Sequence, residues 1–311
     1  MTTDVIIVGA GPTGLSLAVF LAQQGVSCLI FDKELGITHL SKALGIQART
    51  LELFDDTSIV EPFLDRGYVA STGHIFVGGK TKAQFDMSKI GEGLSPYPYM
   101  LTLPQHQTEH ILEAQLKDLG EQVLWQTELL VMSQDQNGVH VELRMAGEHT
   151  ERVTGRYLVG CDGAGSTVRK QLGLRFEGDT LGKYFYVVDA QIDWSLGYGE
   201  DFYHCFCRNT FVAFIPIPGE QRFRIIGTLP PRYEQPGQIT LEQICTLIQA
   251  DSEIPLIFRE ISWHSIYKVH TRKADRFRRG RCFVAGDAAH VHTPAGGQGM
   301  NTGIQDSYNL A

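Results

Sequence analysis

Hydrophobic and polar positions change their period several times along the chain, and the changes mark out its elements. Residues 4–8, Asp-Val-Ile-Ile-Val, are an apolar run behind one acid, the pattern of a strand buried on both faces. Leu15, Ala18, Val19, Leu21 and Ala22 then recur at helical spacing until Gly25, which suits a helix C-cap. A second apolar run, residues 26–31, ends in Asp32. Residues 39–67 are polar at first and then helical, residues 68–103 break into short β-rich pieces, and residues 108–119 return to a helix closed by Gly120. Strands are expected over residues 123–144, with Asn137-Gly138 as a hairpin turn, and over residues 157–161. From Gly173 the texture is β-rich again, with strands at 185–192, 202–207, 210–217, 222–228 and 262–269. One helix, residues 241–250, opens on a Thr240/Gln243 capping box. A final apolar run, residues 282–285, leads to Gly286-Asp287, a proline and glycine loop, and a helix starting near Met300.

Composition narrows the classes of function without choosing one. The 311 residues suffice for one large or two medium domains, and 43% hydrophobic with 20% charged residues fits an ordinary globular protein. A net charge of −8 argues against a nucleic-acid surface. No apolar run approaches the roughly 20 residues of a membrane span, and the N-terminus lacks the regions of a signal peptide, so a cytoplasmic location is expected. The six cysteines show no CxxC spacing and sit mostly in apolar runs, where reduced cysteine behaves as a small hydrophobe; no metal site is expected.

The chemistry gathers in three glycine-bearing stretches. Gly9-Ala-Gly11-Pro12-Thr13-Gly14 lies between a buried strand and a helix, and Asp32 follows the next strand. This is a complete dinucleotide fingerprint: Gly9 for the tight turn, Gly11 for approach of a pyrophosphate, Gly14 for close helix packing, and Asp32 to accept from ribose hydroxyls. Lys42 and Arg49 lie where they reach phosphates or else stay solvated. A second stretch, Asp162-Gly163-Ala-Gly165, imitates a shuffled nucleotide motif, but no βαβ unit of proper length follows it. In the third, Gly286-Asp287 ends a strand and Pro294 to Asn301 feeds a helix N-terminus, whose unsatisfied N–H groups favour negative charge. The basic run Arg272, Lys273, Arg276, Arg278, Arg279 and Arg281 reads as a solvated turn and strand edge, with a phosphate contact as the sharper alternative.

Taken in order, these stretches resemble the group A FAD-dependent aromatic hydroxylases, typified by p-hydroxybenzoate hydroxylase, and most nearly the phenol hydroxylase and aromatic polyketide hydroxylase branch. The resemblance spans essentially the whole chain. It implies an α/β fold, with a Rossmann-like FAD-binding domain from residues 1–67, 102–172 and 272–311 and an inserted β-rich substrate domain from residues 68–101 and 173–271. It implies that FAD contacts Gly9, Gly11, Pro12, Thr13, Gly14 and Asp32 at its ADP half. Lys42 then stands where many members carry arginine, Arg49 follows the family pattern, and Gln105 and Leu129 contact the flavin and the adenosine portion. Asp162 is implied in both FAD and pyridine-nucleotide use, and Asp287 in holding the ribityl chain. Pro294 is placed at the reactive flavin face, and Gly297, Gly299, Met300 and Asn301 surround the N1/C2 carbonyl locus.

The activity so implied is hydroxylation of an aromatic substrate with NADPH or NADH and O2, through a flavin C4a-hydroperoxide. A flavin protein without turnover, or a reductase or halogenase on the same fold, is the alternative. No membrane or nucleic-acid partner is implied, and a homodimer is compatible. Phe202, Phe206, Phe211, Phe214 and Pro216 make the inserted sheet aromatic; alternation assigns half of them to core, and Phe214 is taken with Pro294 as pocket lining. Family members continue the last helix beyond a position like Ala311, so a chain ending there is expected to hold and use flavin less well.

Overall fold

The run behind Asp4 becomes β1 (Thr2–Val8), the centre of the first of three sheets. The structure, a computed structural model, describes residues 2–38, 43–197, 199–207, 210–231, 233, 239–294 and 296–311. β1 pairs in parallel with β2 (Cys28–Phe31) on one side and β11 (Thr150–Gly160) on the other. β8 (Val123–Leu124) and β18 (Cys282–Val284) extend it in parallel at either side. The antiparallel strands β17 (Arg278–Arg279), β9 (Glu128–Gln134) and β10 (Val139–Arg144) complete this sheet. Val5 and Ile7 enter one core cluster while Ile6 and Val8 enter another, so β1 is covered on both faces, as its unbroken apolar run requires.

Helices α1 (Pro12–Gln23), α2 (Ala48–Asp56), α3 (Glu61–Arg66), α4 (Gln105–Asp118) and α7 (Gln298–Leu310) contribute buried residues to the first cluster, where Phe54 stacks on Phe63 at 4.3 Å. The short α5 (Thr167–Gln171) and the β9–β10 hairpin help cover the other face. A small sheet of β3 (Gly45–Ile46), β7 (Leu101–Thr102) and β4 (Tyr68–Val69) lies beside them.

The second large sheet runs β19 (His290–Val291), β16 (Leu256–Ala274), β12 (Phe176–Trp194), β15 (Arg222–Thr228), β14 (Phe211–Pro216), β13 (Phe202–Phe206), β5 (Thr72–Val77) and β6 (Lys80–Asp86). Its third core cluster packs one face against α6 (Leu241–Ser252). β12 and β16 are each 19 residues long, far beyond the expected 185–192 and 262–269. The extra length was invisible to periodicity because residues 177–183 are all exposed, so pairing rather than burial keeps them extended. The α6 capping box forms as expected, with both the Thr240 and Gln243 side chains engaged. All six cysteines are free thiols, and among the described residues no helix is long and apolar enough to cross a membrane.

Candidate cofactor-binding site

At the carboxyl end of β1 each glycine of the first motif meets a different constraint. Gly9 has φ +101° and donates its N–H to the Phe31 carbonyl at 2.8 Å; a Cβ there would lie 2.5 Å from the Cys161 carbonyl oxygen. A Cβ on Gly14 would collide with the Gly9 carbonyl. Gly11 differs: it caps α1 in an extended conformation, and a Cβ on it would meet nothing within 4 Å. Pro12 then takes the first helical turn, where its missing N–H costs nothing. Asp32 accepts from the Ala10 N–H at 2.7 Å and the Glu34 N–H at 3.0 Å, so one carboxylate fixes the loop while staying half-exposed. Its carbonyl accepts from Thr127, two residues before Leu129, which is buried on β9.

The last motif closes on the first. Gly286 opens a 3-10 turn, Gly286–Ala288, at φ +56°, and its N–H donates to Asp306 Oδ2 at 2.9 Å. Cβ atoms on Gly286 or Gly303 would both strike the Thr13 hydroxyl, and the Ser307 hydroxyl donates to the Thr13 carbonyl at 2.7 Å. Thr13 is thus the meeting point of α1, the turn and α7. Asp287 projects as an exposed residue between buried Gly286 and Ala288.

Beneath the turn, Asp306 Oδ2 also lies 2.7 Å from His290 Nε2, and His290 Nδ1 lies 2.9 Å from His292 Nε2. A carboxylate only accepts, so His290 donates from Nε2 to Asp306, and a single proton lies between its Nδ1 and His292 Nε2. Burial, reinforced by the neighbouring His290, holds the His292 pKa below the ordinary 6.5.

Gly297 caps α7 at φ +61°. The Asn301 amide donates to the carbonyls of Gly297 at 2.7 Å and Gly45 at 2.8 Å, and its oxygen accepts from the Gln47 N–H at 2.9 Å. Gln47 returns a bond to the Gly296 carbonyl at 2.8 Å. Pro294 is exposed, and Gly299 and Met300 are half-buried in the first turn of α7. Arg49 lies two residues beyond Gln47, in the first turn of α2, where its guanidinium binds Glu52 at 2.9 Å and gains basicity from it. Lys42 lies outside the described residues.

Asp162 is drawn into local structure: its carboxylate accepts from the Ser166 hydroxyl at 2.5 Å and the Thr167 N–H at 2.6 Å, at the start of α5. Arg169, only 5% exposed, donates to the carbonyls of Ala164 at 2.8 Å and Ala288 at 2.9 Å, tying the second motif to the third. Gln105 accepts from the Ala43 N–H at 3.1 Å and donates to Glu109 at 2.8 Å. Of the basic run, Arg279 donates to the Leu172 carbonyl, Arg281 to Gln136 and Arg272 to Thr180, which favours the structural reading for these three.

The second sheet settles which aromatic residues are core. Tyr186, Phe214, Pro216 and Phe223 share the α6 face by pairing register, whereas Phe185, Asp189, Arg224, Phe211, Trp263 and Tyr267 share the other. The expected pocket role of Phe214 therefore has to be corrected. The side chain is fully buried against Trp194, 4.9 Å between rings, on the side of the sheet turned to α6. Periodicity fixed its alternation but not which face carries the helix.

On the opposite face Arg224, 1% exposed, binds Asp189 with two hydrogen bonds of 2.8 and 2.7 Å and reaches the Ala43 carbonyl at 3.3 Å. Arg224, Asp189, Gln47 and Asp306 were not singled out from sequence. The available signal for the first two was a charge set directly between apolar neighbours, Asp189 between Val188 and Ala190 and Arg224 between Phe223 and Ile225.

This arrangement fits FAD. Cβ atoms on Gly11, Gly163, Gly297 and Gly299 would all enter open space, so the three motifs leave a bare backbone cradle at the carboxyl ends of the parallel strands. Two helix N-termini, α1 and α7, open on the same end of the sheet and suit a diphosphate and an electron-rich ring system.

Comparison with known proteins agrees. The sequence profile of a family described as an FAD binding domain matches residues 2–311. Over 99% of its length the chain is 35% identical to 6-methylpretetramide 4-monooxygenase of Streptomyces rimosus, covering 55% of that protein. It is 33% identical to pentachlorophenol 4-monooxygenase of Sphingobium chlorophenolicum, with 98% of the chain and 57% of the relative covered. A flavin-dependent monooxygenase of Mycobacteroides abscessus is 34% identical and covered over 66%, so the chain spans about half to two thirds of these relatives. Among solved structures, aklavinone-11 hydroxylase in a ternary complex with FAD and aklavinone superposes with a TM-score of 0.85 at 27% identity, over 99% of this chain and 61% of that one. The anhydrotetracycline hydroxylase of Streptomyces rimosus gives 0.81 at 33% identity, over 100% and 61%. The chain belongs to the FAD-binding-domain family of group A flavoprotein hydroxylases.

Proposed function

We propose that this chain is the FAD-binding and sheet-bearing part of an NAD(P)H-dependent monooxygenase that hydroxylates a small aromatic substrate. The observation that carries the reading is the convergence on Thr13 of the dinucleotide turn, the Gly286–Ala288 turn and α7, with an aromatic sheet face tied to the same region through Arg224 and Ala43. When bound, FAD supplies the oxygen-activating redox chemistry. The chain's own groups hold, orient and shield.

The first N–H groups of α1 receive the pyrophosphate over Gly11, and Asp32, already holding Ala10, offers its other lone pairs to the ribose. Asp287 faces outward to take ribityl hydroxyls. The first turn of α7, pinned by Asn301 to Gly45 and Gln47, offers N–H groups to negative charge on the ring system, a preorganised electrostatic contribution. Pro294 stands on the rim of that loop, and Phe185, Phe211, Trp263 and Tyr267 present an apolar wall that excludes water from an aromatic substrate. The reading assigns residues 1–67, 102–172 and 272–311 to the flavin domain and the rest to the substrate domain. β19, from the flavin segment, nevertheless pairs with β16 of the second sheet.

The test is aerobic consumption of NADH and NADPH with phenolic compounds, together with FAD retention. Aromatic-stimulated oxidation with hydroxylated product supports the proposal. Tight FAD binding that no aromatic compound stimulates would leave a flavin-holding protein without turnover.

A further inference from the structure

The face of the second sheet turned away from α6 is laid out in rows, because residues paired across neighbouring strands point the same way. Arg224 and Asp189 share the row that reaches the Ala43 carbonyl, beside the expected flavin contact Gln105. Phe206, Phe211, Phe185 and Tyr267 belong to a row farther out. Between the two runs a middle row of Ile75, His204, Ala213, Ile226, Val187 and Ser265. It lies two residues along each strand from the Arg224 row, about 7 Å at the usual strand rise.

His204 is the one imidazole of that row. Tyr203 and Cys205 on either side of it pack into the α6 cluster, so alternation turns His204 to the other face, where its ring stacks on Phe202 at 6.5 Å. β5 and β14 set aliphatic Ile75 and Ala213 beside it, and α6 lies across the sheet. No charged neighbour contributes to its titration, and burial alone holds its pKa below the ordinary 6.5. The ring is therefore neutral at neutral pH, with one nitrogen free to accept. Among the described residues nothing takes up its ring nitrogens, whereas His74, His140 and His290 each bond to a carboxylate. A half-buried polar group left without a partner on an apolar wall calls for one from a ligand.

The other ionisable groups of this face are already committed. Asp189 and Arg224 hold each other, Glu260 and Asp193 at the rim pair with Arg222 and Arg259, and burial keeps the Tyr267 phenol protonated.

We infer that His204 is the proton acceptor for the hydroxyl of a phenolic substrate lying against the middle row. The phenol O–H bond breaks, its electron pair stays on oxygen and spreads into the ring, and the proton ends on the imidazole, which becomes imidazolium. The ring is then richer in electrons for the oxygen transfer, after which the imidazolium returns its proton to the product oxygen. The inference rests on the hydroxylase reading for the reaction, but the contact itself is testable without turnover.

The test is calorimetric binding of 2-naphthol and its methyl ether, 2-methoxynaphthalene, to the FAD-saturated protein without NAD(P)H. Only the naphthol can donate to a neutral ring, so it is expected to bind roughly three- to tenfold more tightly, the worth of one hydrogen bond. The preference should persist at about pH 6.5 and decline below it, because an imidazolium donates to both oxygens alike. His204→Leu should abolish it at every pH, with thermal unfolding recorded to show that the variant is folded. In turnover, His204→Gln should lower kcat for 2-naphthol roughly a hundredfold and remove the acid limb of kcat/KM. Equal affinity for the two probes, a preference that survives His204→Leu or acid pH, or binding of neither probe overturns the inference. A His204-dependent preference without aromatic-stimulated NAD(P)H oxidation would sink the hydroxylase reading and leave the contact standing. Hydroxylation that His204→Gln leaves at the parental rate, with the same acid limb, would do the reverse.

Discussion

At the scale of single residues, the first motif separates what folding needs from what a ligand needs. Gly9 and Gly14 are forced by backbone already present, whereas the space beside Gly11 is empty. Gly11→Ala should therefore leave stability within about 0.5 kcal/mol of the parent, the usual range for a substitution that strains nothing. Its FAD affinity should still fall at least about tenfold, because the methyl group occupies the approach of the pyrophosphate. Denaturant unfolding and flavin titration measure the two quantities; parallel losses in both would remove Gly11 from the cradle. Tyr186 gives the opposite case. Its hydroxyl is fully buried and has no hydrogen-bond partner among the described residues, and burial pushes the phenol pKa well above its ordinary value. Tyr186→Phe removes an unsatisfied polar atom and keeps the ring, so it should be neutral or stabilising by up to about 1 kcal/mol in urea unfolding.

At the scale of elements, the acid response follows from where the histidines sit. Burial lowers the pKa of His204, on β13, below 6.5. The unfolded chain then binds this proton first as pH falls. The stability associated with the neutral ring is intact above about 6.5 and is lost progressively as pH drops through that value toward the folded pKa. Melting temperature should accordingly be lower at about pH 5.5 than at about pH 7.5, and His204→Phe should flatten that difference. An unchanged acid limb in the variant would assign it to other groups. The same elements show what the sequence made legible. β1, α1, β2 and the turn before α7 were readable because each is an apolar period ended by glycine or acid, a local signal. The long arms of β12 and β16, the helix-bearing face of the second sheet and the Asn301–Gln47 link were not, because partners distant in sequence determine them. Phe214 shows the limit most plainly: alternation put it on one face, and only α6 decided that this face was core.

At the scale of the whole molecule, the flavin-side loops and the second sheet meet at the Arg224–Asp189 pair. Asp189 is 8% exposed and Arg224 1%, so both charges are out of water, and each offsets the desolvation of the other. The guanidinium also lies 5.5 Å from the centre of the Trp263 ring and donates to Ala43, which Gln105 holds from the other side. Removing one partner strands a buried charge. Asp189→Ala should cost about 3–5 kcal/mol in denaturant unfolding, while the paired replacement Asp189→Leu with Arg224→Met should return most of it, since an apolar pair of similar volume needs no desolvation. The two outcomes differ in function as well as in stability. With the apolar pair the sheet is restored but the tie to Ala43 is gone, and the Gln105 side of the flavin site loses its link to the aromatic wall. FAD retention in the double variant should then remain below that of the parent at equal stability. Full retention would mean that packing of the two sheets, without the arginine, is enough to hold the site together.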